Sequence, residues 1–183
     1  MKYFIASDIH GSFKYCRSLI EAFEREQADK ILLLGDVLYH GPRNDLPEEY
    51  NPKAVIELLN RYKDRILCVR GNCDTEVDQM VLEFPILADY GVFTMDETVV
   101  YATHGHVYGE NNPPALSGKS VLLCGHTHVP KCELKDGYFY MNPGSVSIPK
   151  ENSWHGYMTW EGTTFIWKDL SGEVKLTVRT EEA

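Results

Sequence analysis

Short runs of apolar residues alternate along this chain with longer stretches in which apolar residues recur every three or four positions. A short apolar run bounded by glycine or polar residues is typical of a buried strand, and the longer spacing is typical of a helix with one apolar face. The runs predict strands over 2–7, 30–35, 66–70, 97–103 and 120–124. The spacing predicts helices over 13–26, 53–63 and 75–84, the last with Val77, Met80 and Val81 as its apolar face.

Hairpins replace helices in the C-terminal part of the chain. Asp136-Gly137 is a hairpin signal, and it predicts that strands over 131–135 and 137–141 pair with each other. Further strands are expected over 156–160, 163–168 and 173–179, and no repeat or linker interrupts the chain. We therefore expect one domain over 1–183, with an α/β fold in which a mixed β-sandwich carries helices on its outside.

Each strand predicted in the first part of the chain runs into residues that can bind metals. The clearest case is the run 121–124, which is followed by Gly125, His126 and His128. Histidines two positions apart project to the same side of an extended chain and can grip a metal ion, although two exposed loop histidines would show the same pattern. Similar residues follow the four other runs, namely Asp8 and His10, Asp36, Asn72, and His104.

The polar residues at these strand ends should lie close together, because the ligand site of an open α/β sheet lies beyond the carboxyl ends of its strands. The candidate ligands are carboxylates, imidazoles and one amide: Asp8, His10, Asp36, Asn72, His104, His126 and His128. This set suits Mn, Fe, Zn, Co or Ni and differs from a four-cysteine structural zinc site. Seven ligands exceed the need of one tetrahedral ion, and they suit two ions about 3.5–4 Å apart that share a carboxylate.

Composition and charge narrow the range of partners. The 183 residues carry a net charge of −9, which disfavours an extended nucleic acid but not a small phosphate ester beside bound cations. No apolar stretch is long enough to cross a bilayer. The first strand carries Asp8 and His10, so its removal as a signal peptide would destroy the site. Five cysteines without a Cys-x-x-Cys motif make disulfides unexpected, and we expect a cytoplasmic protein.

The metal-ligand motifs occur in a characteristic order. They are Asp8-x-His10, Gly35-Asp36, Gly71-Asn72-Cys73-Asp74, His104-Gly105-His106 and Gly125-His126-Thr127-His128. In this order and spacing the chain resembles the calcineurin-like metallophosphoesterases and, within them, the small YfcE-type phosphodiesterases. The similarity to that group includes the stretches 35–44, 69–74 and 142–150, and it extends from Met1 to about Lys150.

The resemblance implies a four-layer α/β/β/α sandwich of two mixed β-sheets flanked by helices. It also implies an enzyme, a phosphodiesterase that hydrolyses small phosphodiesters with a metal-bound hydroxide as nucleophile. Two divalent ions would be bound, most often Mn, with Ni, Fe, Co or Zn as the other candidates. The implied ligands are Asp8, His10 and His128 for one ion, Asn72, His104 and His126 for the other, and Asp36 as the bridge.

The chain departs from many relatives at Cys73, where those proteins have a histidine that protonates the leaving group or stabilises the phosphorane. A thiol is a weak hydrogen-bond donor, so the change favours esters with good leaving groups. We predict that Cys73 lies against the substrate phosphate, and the alternative is a buried structural thiol.

His106 is expected beside the second ion or the substrate, or else as a hydrogen-bonded residue behind the ligands. Arg43 is the candidate for a bidentate clamp on phosphate, and the alternative is a solvated surface charge.

Two further residues and one turn are expected near the site, either in supporting roles or in purely structural ones. His40 is expected to bond a ligand carboxylate or to face the phosphate, or to have no role. Asp74 is expected to orient a neighbouring ligand or to cap the following helix. The turn 142–145 is expected to pass under the site without a catalytic role.

Four functions are compatible with these observations: a phosphodiesterase, a phosphomonoesterase, a nuclease, and a non-catalytic scaffold with a vestigial site. The complete ligand set favours an enzyme over a scaffold. The short acidic chain disfavours a nuclease, and Cys73 disfavours a phosphomonoesterase. Loops 41–50 and 105–118 would select the substrate. Homo-oligomerisation is left open, with the aromatic C-terminal strands as one candidate interface.

Overall fold

A computed structural model of the protein describes residues 1–116 and 120–182. The strands are β1 (Lys2–Ala6), β2 (Lys30–Leu33), β3 (Ile66–Cys68), β4 (Tyr90–Met95), β5 (Thr98–Thr103), β6 (Ser120–Leu123), β7 (Pro130–Lys135), β8 (Tyr138–Pro143), β9 (Gly156–Glu161), β10 (Thr164–Asp169) and β11 (Val174–Arg179). The helices are α1 (Phe13–Glu26), α2 (Pro52–Asn60) and α3 (Glu76–Gln79), and short 3-10 turns lie at Lys63–Arg65 and Thr180–Glu182. None of the helices in these residues is long and apolar enough to cross a membrane.

The strands form two mixed sheets, as the sequence predicts. One sheet has the strand order β11-β10-β9-β1-β2-β3, and the other has the order β4-β5-β6-β8-β7. In the first sheet β1, β2 and β3 are parallel, and in the second β5, β6 and β8 are parallel. The predicted hairpin is confirmed, because β7 pairs antiparallel with β8 and Gly137 turns the chain with a φ of 88°. The parallel strands matter for the site, because their carboxyl ends point the same way.

Alternate residues of β1 pack into two different cores. Phe4 and Ala6 face the helices, where they belong to an apolar cluster that includes Phe23 of α1. Tyr3 and Ile5 face the second sheet, in a cluster that lies between the two sheets. Successive side chains of a strand point to opposite faces, so a run that is apolar at every position is buried on both sides. This explains why β1 appears in the sequence as an uninterrupted apolar run.

A smaller apolar cluster lies on the outer side of the second sheet. Leu122, Cys124 and Tyr140 form it, and Leu116 of the preceding loop packs against it. Together with the helix-covered core and the core between the sheets, it completes the α/β sandwich that the sequence indicates. Residues 117 and 118, which belong to the loop predicted over 105–118, lie outside the described residues.

The two longer helices begin where their sequences predict. The Ser12 side chain accepts a hydrogen bond from the backbone N–H of Tyr15 and caps α1, which covers the predicted range 13–26. Asn51 caps α2 in the same way, and Pro52 takes the first helical position, where its missing N–H is not needed. The α2 helix ends at Asn60, three residues before the predicted end at 63, and a 3-10 turn follows it.

The prediction of a helix over 75–84 is wrong in extent and in its buried face. The α3 helix covers Glu76–Gln79, and Val77 and Met80 are 68% and 83% exposed. Beyond the helix, the Gln79 side chain holds the chain in a non-helical path: its amide donates to the carbonyls of Leu82 and Phe84 and accepts from the N–H of Ile86. Leu82, Phe84 and Ile86, which follow the helix, are buried in a non-helical segment. The apolar residues at helical spacing therefore lie on the surface.

An ion-pair network holds the C-terminal end of α1 to the first sheet. The Glu26 carboxylate accepts hydrogen bonds from Lys2 at 2.8 Å, Lys168 at 2.7 Å and the Tyr157 hydroxyl at 2.7 Å. Burial alone would raise the pKa of Glu26, but these three donors outweigh burial and lower it to about 2. Because the pKa is depressed in the folded protein, the stabilisation is fully present above about pH 4.5 and declines as the pH falls toward 2.

Glu26→Gln is expected to lower the free energy of unfolding by about 1–2 kcal/mol at pH 7, after allowance for solvent screening of the lysines. Urea denaturation at pH 7 and at pH 3 measures this difference, which should be smaller at pH 3. Glu57→Gln, on the exposed side of α2, is the matched control and should leave stability unchanged. Equal stability of Glu26→Gln and the native protein at pH 7 would contradict the structural role of the network.

Candidate metal centre

The seven candidate ligands converge where the two sheets meet at the carboxyl ends of their parallel strands. Asp8 and His10 follow β1, Asp36 follows β2, and Asn72 follows β3. From the second sheet, His104 follows β5, and His126 and His128 follow β6. Backbone hydrogen bonds join these segments, for example from Asp8 N to Gly35 O at 3.1 Å and from Gly125 N to His104 O at 2.9 Å. The cluster therefore belongs to both halves of the sandwich.

Most of these ligands occupy strained backbone positions. The φ angles are positive at five of the seven, Asp8 (59°), His10 (49°), Asp36 (56°), His126 (68°) and His128 (62°). Non-glycine residues adopt this conformation rarely, and they do so preferentially at functional sites. A Cβ on Gly71 would overlap the backbone N and Oδ1 of Asp36, so glycine is required there for the close approach of the two loops. The backbone is thus bent sharply at each strand end to direct side chains to one point.

Asp36 occupies the middle of the cluster. Its Oδ1 accepts a hydrogen bond from the backbone N–H of Cys73 at 2.8 Å, which fixes the carboxylate plane. Its Oδ2 lies 3.7 Å from His10 Nε2 and 3.4 Å from His104 Nε2. His10 belongs to one group of ligands and His104 to the other. Asp36 Oδ2 is therefore placed between the two groups.

Three histidines are held in one tautomer by backbone carbonyls. The Nδ1 atoms of His10, His104 and His128 lie 2.7, 2.6 and 2.7 Å from the carbonyl oxygens of Tyr39, Leu34 and Ile148. A carbonyl oxygen can only accept, so each Nδ1 carries the proton and donates it. Each neutral imidazole then presents the lone pair of Nε2 to the centre of the cluster. Metal-binding histidines are oriented in this way by their second nitrogen.

The inward-facing atoms of the cluster are nearly all acceptors. His10 Nε2 lies 3.2 Å from His128 Nε2, and His104 Nε2 lies 3.1 Å from Asn72 Oδ1, so lone pairs face each other. Asp8 Oδ1 is buried and receives no hydrogen bond from the described residues, and His128 Nε2 lies 3.2 Å from it. Converging acceptors without donors need a cation between them. These ligand atoms therefore fit divalent metal ions. Those of Asp8, His10 and His128 lie within 4.8 Å of one another.

The electrostatics of the cluster also favour positive charge. Burial alone would lower the pKa of His104, but the carboxylates of Asp36 and Asp8 outweigh it and raise the pKa to about 9. Burial and the charge of His104 lower the pKa values of His106 and His126. Either a proton on His104 or a bound cation would neutralise part of the buried negative charge of Asp8 and Asp36. At His10 too, burial alone would lower the pKa, but the hydrogen bond and charge of Asp8 outweigh it and raise the pKa. Metal binding would displace these protons, because a histidine binds a metal through a neutral nitrogen.

Asp74 positions the backbone of the central ligand. Its Oδ2 accepts from the N–H groups of Asp36 at 2.8 Å and Gly71 at 2.7 Å, and its Oδ1 accepts from Val37 at 2.9 Å. The side chain thus joins the loop after β2 to the loop after β3. Of the two expectations for Asp74, the structure shows the orienting one, because Thr75 rather than Asp74 caps α3.

The segment 142–147 supports the site from below, and only part of this support was expected from the sequence. Ser145 and Ser147 both donate their hydroxyls to the Asp8 carbonyl, at 2.8 and 3.0 Å, and so hold the bent backbone after β1. The buried Asn142 amide donates to Gly125 O at 2.7 Å beside the histidine turn. The turn does pass under the site, as the Asn-Pro-Gly-Ser sequence indicates. The two serines were missed, because nothing in their spacing indicates a contact with Asp8.

Cys73 and Arg43 line an open cleft in front of the ligands. The cleft has a volume of about 430 Å³, and its walls include Asn72, His126 and Lys150. Cys73 is buried to all but 8% of its surface, and burial together with the Asp36 carboxylate raises the pKa of its thiol to about 12. Arg43 is exposed on the rim of the same cleft. Both predicted residues therefore face the space in which a substrate of this centre would lie.

His106 and His40 lie beside the ligands and do not line that cleft. His106 is exposed, its ring centroid is 5.3 Å from that of His104, and it lines a neighbouring cleft with His126. His40 is half-buried, with its ring edge-on to Tyr39 and Tyr50, and its Nδ1 has no hydrogen-bond partner in the described residues. His106 is thus close to the second group of ligands, whereas His40 packs between aromatic rings.

A mixed sandwich with this ligand cluster at its strand ends defines a metal-binding α/β protein, and comparison with known proteins specifies the class. Residues 1–164 match the family model described as the calcineurin-like phosphoesterase superfamily domain. Phosphodiesterase YfcE of Escherichia coli strain K12 is 49% identical over 150 residues, which are 82% of this chain and 82% of that protein. The chain therefore belongs to the calcineurin-like phosphoesterase superfamily, and the resemblance found in its motifs is confirmed.

Solved structures agree with this assignment. The structure of the phosphoesterase YfcE from E. coli has a TM-score of 0.95 at 42% identity, and the match covers 98% of this chain and 100% of that chain. Vacuolar Protein Sorting 29 from Cryptosporidium parvum has a TM-score of 0.63 at 17% identity, with 97% of each chain covered. At that identity the second likeness shows the fold alone.

Proposed function

We propose that this protein hydrolyses small phosphodiesters with the help of two divalent metal ions. The observation that carries the proposal is the placement of Asp36 Oδ2 between the Nε2 atoms of His10 and His104, at 3.7 and 3.4 Å. A shared carboxylate between two groups of nitrogen and oxygen ligands suits a two-metal centre. Further support comes from the 49% identity to a protein named phosphodiesterase.

The two proposed metal sites divide the ligands by their contacts. Asp8, His10 and His128 would hold one ion, and their ligand atoms lie within 4.8 Å of one another. Asn72, His104 and His126 would hold the other, with His104 Nε2 lying 3.1 Å from Asn72 Oδ1 and 3.2 Å from His126 Nδ1. Asp36 would bridge them. We propose Mn as the ion, with Ni, Fe, Co or Zn as alternatives, because nitrogen and oxygen ligands accept all of them.

Bound divalent ions would supply Lewis acidity toward a phosphoryl oxygen and acidify water. The protein's own groups would bind and orient the ester. Arg43 can donate two hydrogen bonds to phosphate oxygens from the rim of the cleft, and Lys150 adds a second positive charge. Cys73 remains a thiol near neutral pH, because its pKa is about 12, so it can donate a weak hydrogen bond to the ester. His106 lies beside His104, a ligand of the second proposed ion, and would contact the substrate from there.

We extend the proposal to the location of the protein and to its domain organisation. We place the protein in the cytoplasm, and the support is that all five cysteines are free, as is usual in a reducing compartment. We also propose that the whole chain acts as one catalytic domain, because the ligands come from both sheets.

The activity can be tested with purified protein that has been stripped of metal. Bis(p-nitrophenyl) phosphate and p-nitrophenyl phosphate would be supplied separately, with Mn, Ni, Zn, Co or Mg restored one at a time. We expect metal-dependent hydrolysis that is faster for the diester than for the monoester. A folded protein that binds two ions and hydrolyses neither ester with any metal would reject the proposal in favour of a scaffold.

Cys73→Ala is expected to lower kcat/KM for the diester about tenfold, because one hydrogen-bond donor at the ester is lost. Cys73→His should raise the rate on the monoester relative to the diester, because an imidazole donates a proton to a poor leaving group more readily than a thiol of high pKa. Cys132→Ala, at a half-buried cysteine of β7, is the matched control. Unchanged kinetics in Cys73→Ala would show that the thiol is only structural.

A further inference from the structure

An apolar cleft opens beside the proposed metal centre and shares Cys73 with the polar cleft in front of the ligands. It has a volume of about 350 Å³, and its walls include Tyr39, Tyr50, Ile56, Val77 and Val81. Its apolar lining sets it apart from the cleft in front of the ligands, where Arg43, Asn44, Asn72 and Lys150 present polar groups.

The apolar cleft is continuous with the metal centre through two residues. Cys73 lines both clefts, and its backbone N–H donates to Asp36 Oδ1 at 2.8 Å. Tyr39 accepts the Nδ1 proton of His10 on its carbonyl at 2.7 Å, while its ring forms part of the apolar wall. A group in this cleft would therefore be one residue away from the metal ligands.

Leu38 and Ile56 of this wall pack into the helix-covered core, but other apolar residues of the wall are largely exposed. Val77 is 68% exposed, and Val81 and Tyr39 are each 42% exposed, whereas the neighbouring Leu82 and Phe84 are buried. Single exposed apolar residues are ordinary, but several around one concave space beside a reaction centre are typical of a ligand site.

Charge separates the two clefts. Arg43 and Lys150 carry positive charge in the cleft in front of the ligands, which suits the phosphate. Of the described residues that line the apolar cleft, Asp78 alone is charged, and its Oδ2 already accepts from the N–H and hydroxyl of Thr75. The single carboxylate would repel an anionic group, and the rest of the lining is apolar or uncharged. An uncharged group is the occupant that this lining fits.

We propose that the apolar cleft receives one ester arm of the substrate, an aliphatic or aromatic group without charge, while the phosphate lies at the metal centre. This inference rests on the proposed function and specifies its substrate class. The preferred substrate is a phosphodiester of an apolar alcohol, with the second arm directed toward the polar cleft at Arg43 and Lys150.

Alkylphosphonates test the proposal, because each carries a single arm and is not hydrolysed. Methyl-, butyl- and octylphosphonate would be titrated calorimetrically into the Mn-loaded protein, with inorganic phosphate as the probe that has no arm. A fully buried methylene strengthens binding up to roughly fourfold. We expect the Kd to fall at least tenfold from methyl to butyl. Val77→Asp and Val81→Asp should abolish this gain and leave the Kd of phosphate unchanged.

The matched control is Val92→Asp, at a valine of β4 whose exposure lies between those of Val77 and Val81, which should keep the full gain with chain length. A Kd that does not depend on chain length, or a gain that persists in both Val77→Asp and Val81→Asp, would overturn the proposal. If sedimentation shows a dimer that Val77→Asp dissociates without altering the chain-length dependence, the surface serves a second copy of the chain instead. Binding is measured without turnover, so absence of hydrolysis rejects the proposed function separately.

Discussion

Asp36→Asn is expected to reduce phosphodiester turnover by roughly a thousandfold or more. Removal of the proposed bridge takes several kcal/mol of charge stabilisation from the transition state, and each 1.36 kcal/mol is about tenfold in rate. The asparagine keeps an oxygen for the Cys73 N–H, so the loop after β2 can retain its conformation. Its amide group would face His10 and His104 in place of Oδ2, and the negative charge shared by the two proposed ions would be lost.

The bound metal should change together with the rate. Elemental analysis after gel filtration is expected to give two Mn per chain in the native protein and fewer in Asp36→Asn. Asp136→Asn is the matched control, because Asn-Gly suits the hairpin turn as well as Asp-Gly and the turn lies beyond the amino end of β8, away from the ligands. An Asp36→Asn protein with more than a tenth of native turnover would exclude a bridging role.

Asp74→Asn is expected to damage both the metal centre and the fold. Asp74 accepts three backbone N–H groups at 2.7 to 2.9 Å, and an asparagine would turn its own amide protons toward at least one of them. The loss of a buried acceptor should lower the free energy of unfolding by about 2 kcal/mol. Groups that orient metal ligands typically contribute 10- to 100-fold to metal affinity or activity, and we expect Mn affinity to fall in that range.

A positioning role is separated from a general loss of stability by the metal dependence. Turnover of Asp74→Asn should recover in part at high Mn concentration at a temperature where circular dichroism shows the metal-free variant to be fully folded, so that recovery reports metal affinity and not refolding. Asp64→Asn, at an exposed site before β3, is the control for loss of a carboxylate and should resemble the native protein in both assays. Native Mn affinity in Asp74→Asn would show that the loops hold Asp36 without this side chain.

The positions of the candidate ligands could be predicted from the sequence because they follow a local rule. Short runs such as the one ending at Ala6 are apolar at every position, since both faces of these strands are buried. Parallel strands align their carboxyl ends, so the residues after each run share one edge of the sandwich. Asp8, Asp36 and His104 were found in this way, and the structure brings their ligand atoms within 4.8 Å of one another. Their roles as ligands stay a prediction.

Features that depend on contacts distant in sequence could not be predicted. Ser145 and Ser147 support Asp8 from 137 and 139 positions away, and no pattern within either segment indicates that contact. The helix over 75–84 was overextended for a related reason. The Gln79 side chain bonds Leu82, Phe84 and Ile86 in the non-helical segment after α3, and the spacing of apolar residues does not indicate these contacts.

The role of Cys73 depends on its surroundings as well as on its residue type. The sequence predicts a thiol near the phosphate, and the alternative is a buried structural cysteine. In the structure the side chain is both buried and on the wall of the two clefts, and its pKa of about 12 keeps it protonated. Burial alone therefore does not distinguish the two hypotheses, and the kinetics of Cys73→Ala decide between them.

The central claim is that Asp36 bridges two ions held by the strand ends of both sheets. A crystal structure of the Mn-loaded protein, with an anomalous difference map at the manganese edge, tests it most directly. We predict two peaks about 3.5–4 Å apart, with Asp36 Oδ2 bound to both. A single peak, or two peaks with Asp36 bound to neither or only one, would contradict the account.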